Sequence, residues 1–214
     1  MDKIWRRRVA AVALCLGVGA APVPALADEA ADMLARIGED AQARAKAIDN
    51  GRGIATFCAN CHGADGVSTI PEVPNLAAQN PDYLLTQINA FTSGKRKNEF
   101  MEGLMRALAP ADKAALVLFY ASLSAPTPRT VAESEVAAAK EAFDKICARC
   151  HGGAAHGSTT TPRLAGQQTE YLRQSLRRYL TMSGERFYPP MTAAVTQLGE
   201  KNIDAVTVYL GSLK

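Results

Sequence analysis

Long apolar runs, lasting period-two alternation and net charge of one sign are all scarce in this 214-residue chain. Only one uninterrupted apolar stretch stands out, Val9 to Ala21, and no later run is long enough to anchor the chain in a bilayer. Because alternation never persists, strands have no support and an all-α class is predicted. The formal charge is +3, but the first 27 residues carry four basic residues and one acid, so the remainder is neutral. A nucleic-acid partner therefore has no electrostatic basis.

The opening segment has the layout of an export signal. Lys3, Arg6, Arg7 and Arg8 precede the apolar stretch, and Ala25–Leu26–Ala27 offers a small-residue cleavage site before Asp28. Residues 1–27 are thus predicted to be removed and the product to reach the periplasm. Lipidation at Cys15 is disfavoured because Leu14 stands where a small residue is needed.

Cysteine and histidine are few, and nearly all lie in two short motifs. Cys58–Ala59–Asn60–Cys61–His62 and Cys147–Ala148–Arg149–Cys150–His151 are both Cys-x-x-Cys-His. This spacing is the attachment signature of a c-type haem: two thiols bond one porphyrin and the adjacent imidazole binds its iron. With Cys15 removed, all four remaining cysteines are consumed, so the expected cofactors are two haem c groups. A four-cysteine zinc site is the bland alternative. The histidine after each pair and the oxidising compartment both count against it.

The surrounding sequence repeats as well. Pro74–Asn75–Leu76–Ala77, Gln79, Tyr83–Leu84 and Ser93–Gly94–Lys95–Arg96 follow the first motif. Pro162–Arg163–Leu164–Ala165, Gln167, Tyr171–Leu172 and Ser183–Gly184–Glu185–Arg186 follow the second. Each half closes on a helix with one apolar face: Leu116, Phe119, Tyr120 and Leu123, then Val206, Tyr209, Leu210 and Leu213. Asn80–Pro81 marks the start of an earlier helix. The predicted organisation is a helical extension at 28–49, a domain at 50–124, a proline-bearing linker at 125–132 and a domain at 133–214. In the extension, early acids and late bases (Arg44, Lys46) suit a helix dipole. Domains this small bury limited surface, so the chain without haem is expected to fold poorly.

Three histidines cannot supply two bis-histidine irons once His62 and His151 serve as proximal ligands. His156, five residues beyond His151, reads as a solvated loop residue. Methionine is the remaining sixth ligand, with core packing as its alternative role. Met101 and Met191 each lie five residues past the repeated arginine, whereas Met105 aligns with Val195 and Met182 has no counterpart. Thioether ligation closes the iron and suits a one-electron carrier rather than a catalyst. Pro74 and Pro162 mark rigid turns whose carbonyls suit the proximal imidazoles, while Arg96 and Arg186 either pair with propionates or face solvent.

Together these motifs resemble the dihaem cytochrome c4 family, two class I cytochrome c domains in tandem, over residues 50–214. The resemblance implies that His62 and Met101 ligate one iron and His151 and Met191 the other. It further implies that Pro74 and Pro162 accept from the proximal histidines and that Leu76 and Leu164 pack on the porphyrins. It implies electron shuttling in the periplasm, from a membrane quinol-oxidising complex or dehydrogenase toward a terminal oxidase, with peripheral membrane association within the family's range. Two readings compete: an electron-transfer subunit of a larger dehydrogenase, and a dihaem peroxidase, which two closed irons disfavour. Departures include Ala78 against Gly166, Ser175 against Gln87, and Gly152–Gly153–Ala154–Ala155–His156 against Gly63–Ala64–Asp65–Gly66.

Overall fold

A computed structural model describes residues 26–214, with side chains from residue 29. The expected leader, its basic residues and Cys15 lie outside the described residues. Leu26 and Ala27 are the exception, since they begin the first helix and the expected cleavage point therefore falls inside it. Among the described residues every regular element is helical, as the sequence predicts.

The first half contains α1 (Leu26–Gly38), α2 (Ala41–His62), α3 (Pro81–Thr92), α4 (Glu99–Ala107) and α5 (Pro110–Ser122). The second contains α6 (Glu133–Ile146), α7 (Ala148–His151), α8 (Thr169–Thr181), α9 (Pro189–Leu198) and α10 (Glu200–Ser212). Each half has its own core. Leu84, Leu116, Val117, Phe119 and Tyr120 anchor one. Phe143, Leu172, Ile203, Val206, Tyr209 and Leu210 anchor the other. The closing helices α5 and α10 thus bury the faces predicted from their periodicity.

The leading segment differs from the single extension expected at 28–49. Asp40 caps a new helix by accepting from the Gln42 and Ala43 amides, so the segment breaks in two. Nothing then stops α2 before Gly63, and it runs straight through the 49/50 boundary to carry the first motif on its last turn. In α1, Ala30 and Leu34 are buried in the first core. With α1, α2 and α3 all packed on α5, residues Lys113–Tyr120 are buried on every side.

The linker is less free than its prolines suggest. Pro126 is buried, and Arg129 is held by the second domain through Arg129 N to Gly211 O at 2.9 Å.

Candidate haem sites and the domain boundary

Each motif ends a helix at a glycine with positive φ, Gly63 at 80° and Gly152 at 76°. A Cβ at Gly63 would lie 2.0 Å from the Val67 carbonyl oxygen, so only glycine admits the loop that turns back there. The two attachment turns are otherwise built differently. Cys58, Cys61 and His62 share the end of one 22-residue helix. In the second domain α6 stops at Ile146, and Cys147 separates it from the four-residue α7.

The loops after the motifs look unlike in sequence yet fold alike. Gly66 O accepts from Leu76 N and Ala77 N, and Ala155 O accepts from Leu164 N and Ala165 N. Ala155 therefore replaces Gly66 at the same left-handed position, with φ of 57° against 74°. Ala78 and Gly166 reverse the exchange, at 54° and 72°.

Those loops bring a proline carbonyl onto each imidazole. His62 Nδ1 lies 2.9 Å from Pro74 O, and His151 Nδ1 lies 3.1 Å from Pro162 O. A carbonyl can only accept, so Nδ1 carries the proton and the Nε2 lone pair is left for a metal. Burial pushes the His62 pKa down, and the Arg96 guanidinium adds to this against the opposing Pro74 bond. Burial does the same to His151. Both imidazoles are thereby held neutral, the form that ligates. Burial also raises the Cys58 and Cys147 thiols, Cys147 to about 11, so these two stay protonated in the unmodified chain.

Met101 and Met191 occupy the third residue of α4 and α9 and are half-buried. Asn98 caps α4 by accepting from Met101 N at 2.9 Å. Their neighbours are placed differently: Met105 and Val195 are buried as packing residues, and Met182 is 66% exposed in a left-handed turn. Leu76 and Leu164 are half-buried against the two cores.

Arg96 and Arg186 meet at the domain boundary instead of facing solvent. Arg186 is 9% exposed and donates to Tyr179, Tyr171, Ser175 and Tyr83. Arg96 donates to Gln87 and to Tyr171 and stacks on Phe91. Ser175 thus does for Arg186 what Gln87 does for Arg96. His156 is exposed as expected, but its Nε2 is 2.7 Å from Lys214 O, which ties the loop to the segment just beyond α10.

A second set of boundary contacts is made by the repeated glutamines Gln79 and Gln167. Gln167 Oε1 accepts from Asn75 N at 2.7 Å and its Nε2 donates to Asn75 O at 2.9 Å. Gln79 makes the same pair of bonds to Arg163, at 2.7 and 2.9 Å. Both glutamines recur at the same place in each repeat, which was the available signal. A buried amide with no partner required in its own half points across to the other.

The residues fit haem better than a bare ion. The cysteine pairs belong to separate cores, and no described cluster of three or more His, Cys, Asp or Glu side chains is placed to hold a metal ion. Arg186 is a buried cation whose partners among the described residues are tyrosine and serine hydroxyls rather than carboxylates, an environment that suits an anionic group brought by a ligand.

The cytochrome c family model matches this chain twice, over residues 48–124 and 136–214. Cytochrome c4 of Pseudomonas aeruginosa is 31% identical over 174 residues, covering 76% of this chain and 87% of its own. The chain belongs to the dihaem cytochrome c4 family. A solved structure, reduced recombinant cytochrome c4 from Pseudomonas stutzeri, superposes with a TM-score of 0.68 at 25% identity, covering 78% of this chain and 98% of that one. A thiosulfate dehydrogenase electron acceptor of Thiomonas intermedia is 32% identical, covering 74% of this chain and 79% of its own. As a member of the cytochrome c4 family, the chain binds two haem c groups, one in each cytochrome c domain, and acts as an electron-transfer protein rather than an enzyme. No described helix is long and apolar enough to cross a membrane.

Proposed function

We propose that this dihaem cytochrome works in the periplasm as a relay of a respiratory chain. It takes electrons from a membrane quinol-oxidising complex or a dehydrogenase and passes them to a terminal oxidase, with peripheral association at the membrane surface. Cys58 and Cys61 attach one haem and Cys147 and Cys150 the other. His62 with Met101, and His151 with Met191, are the iron ligands. When bound, each haem supplies a one-electron iron couple.

The observation that carries this reading is the matched pair of imidazoles, each buried, neutral and oriented by a proline carbonyl. A ligand fixed by its surroundings does not reorganise when charge moves, which keeps electron transfer fast. Leu76 and Leu164 exclude water from the porphyrin faces. Arg96 and Arg186 supply positive charge for the propionates at the domain boundary, where Arg186 already holds four hydroxyl partners.

Oxidised protein tests the ligand set. Met101→Ala and Met191→Ala should each remove about half of the near-red sulfur-to-iron charge-transfer absorption, because each site contributes one of two thioether bonds. If Met105→Ala or Met182→Ala removes it instead, the ligand set is wrong.

A second reading makes the protein the electron-accepting partner of a periplasmic dehydrogenase. Its support is the relative named as a thiosulfate dehydrogenase electron acceptor, as similar to this chain as cytochrome c4 itself. A stable one-to-one complex with a dehydrogenase would favour it; rapid reduction by a quinol-oxidising complex favours the first.

A further inference from the structure

The two glutamines at the boundary hold more than backbone. Pro74 O and Asn75 N belong to one peptide group. Its carbonyl accepts from His62 Nδ1 at 2.9 Å, and its N–H donates to Gln167 Oε1 at 2.7 Å. The peptide joining Pro162 to Arg163 repeats the pattern: its carbonyl accepts from His151 and its N–H donates to Gln79 Oε1 at 2.7 Å.

Each chain of bonds therefore starts at the imidazole of one domain, passes through a single peptide, and ends on a glutamine of the other. We propose that Gln167 and Gln79 are positioning residues that set the reduction potential of the haem in the domain opposite their own. The proposal rests on the ligand assignment of His62 and His151 given above.

The physical basis is polarisation. An acceptor on the peptide N–H pushes electron density onto the carbonyl oxygen, which strengthens the bond it receives from the imidazole. Drawing the Nδ1 proton more strongly toward the carbonyl gives the imidazole more negative charge and makes Nε2 a better donor to iron, and this favours the oxidised metal. Removing the glutamine acceptor should therefore raise the potential of the opposite haem.

The orientation of both amides is fixed by their partners. Gln167 Oε1 also receives Gln168 N at 2.9 Å, and Gln79 Oε1 receives Asn80 N at 3.0 Å, while each Nε2 faces a carbonyl. An inverted amide would lose all three bonds. Gln79 and Gln167 are each 7% exposed, so water cannot easily replace them.

Potentiometric titration of the two-haem protein tests the assignment, with haem-methyl NMR resonances attributing each potential to its domain. Gln167→Leu should raise the first-domain potential. The reduced-to-oxidised ratio should change about threefold, or about 28 mV at 59 mV per tenfold for one electron. The second domain should hold its value. Gln79→Leu should do the reverse. Gln167→Glu, which retains an acceptor oxygen, should not raise the first-domain potential. Asn80→Ala removes boundary bonds to His156 O and Thr161 O without touching either acceptor peptide, and should move neither haem.

A shift of the variant's own haem, equal shifts in both, or an equal effect of Asn80→Ala would overturn the proposal. Wild-type protein lacking two low-spin thioether-ligated haems would instead remove the ligand assignment beneath it.

Discussion

Arg186 Nη2 donates to the Tyr83 hydroxyl across the domain boundary at 2.7 Å, and Arg96 Nη2 returns the gesture to Tyr171 at 3.0 Å. Each arginine thus reaches the tyrosine that the repeat places in the opposite half. Because Arg186 is a buried cation, each hydroxyl it loses is costly. Tyr83→Phe should lower the denaturant-unfolding stability of the dihaem protein by about 1.5–3 kcal/mol, the range for a hydrogen bond to a charged group. A loss below about 0.5 kcal/mol would mean that water takes the hydroxyl's place.

The exchanged glycines give a test with opposite signs. Ala78 and Ala155 hold left-handed backbone where their counterparts Gly166 and Gly66 do not pay for a Cβ. That conformation costs roughly 1–2 kcal/mol for a residue with a side chain, against roughly 0.5–1 kcal/mol of added chain entropy for glycine. Ala78→Gly should raise the thermal midpoint slightly, whereas at Ala155, 0% exposed in the second core, the lost methyl packing offsets the relief. Gly66→Ala should lower the midpoint, since its Cβ would meet Leu123 Cδ1 and Ala77 N at 3.0 Å.

Two glycines of α2 should respond oppositely as well. A Cβ on Gly51 would lie 2.2 Å from Ala115 O, because α2 and α5 approach through that residue. Gly51→Ala should destabilise by about 1–3 kcal/mol through overpacking. Gly53 has nothing within 4 Å of an added Cβ, and there alanine should stabilise by about 1 kcal/mol through helix propensity. Equal effects at both sites, read by chemical denaturation, would show that the α2–α5 contact yields freely.

Glu102 links pH to the helix that carries Met101. Burial raises its pKa, but the Asn98 amide and the Arg106 guanidinium outweigh that and hold it below the ordinary 4.5. A depressed carboxyl contributes stability that is fully present above its unfolded value and lost as pH falls through its folded one. Glu102→Gln should therefore be less stable than wild type at neutral pH, with the gap closing below pH 4.5 in acid-unfolding curves. A gap independent of pH would assign the effect to packing.

Much of this molecule was legible before folding because its chemistry is local. The two cysteines and histidine of each motif lie within five residues, so spacing alone brings them together. The apolar faces of α5 and α10 likewise follow from a period of 3.6 residues. The leading segment was less legible. Its charge pattern suits one helix, but the Asp40 side chain offers two amides a cap and splits it. The loop at Gly152–His156 differs from its counterpart in residue identity but shares its left-handed angle at Ala155, and that angle is invisible in residue identity.

The helical class, the twofold repeat and the residues proposed to attach and ligate haem depend on neighbours within a few positions, so amino-acid order alone carries them. Folding alone sets Gln79 on Arg163, Gln167 on Asn75 and the two arginines on opposite tyrosines. Those partners are 75 to 103 residues apart. No periodicity or spacing encodes them; they exist because two cores, each packed on its own terms, leave matching buried polar groups that must find one another.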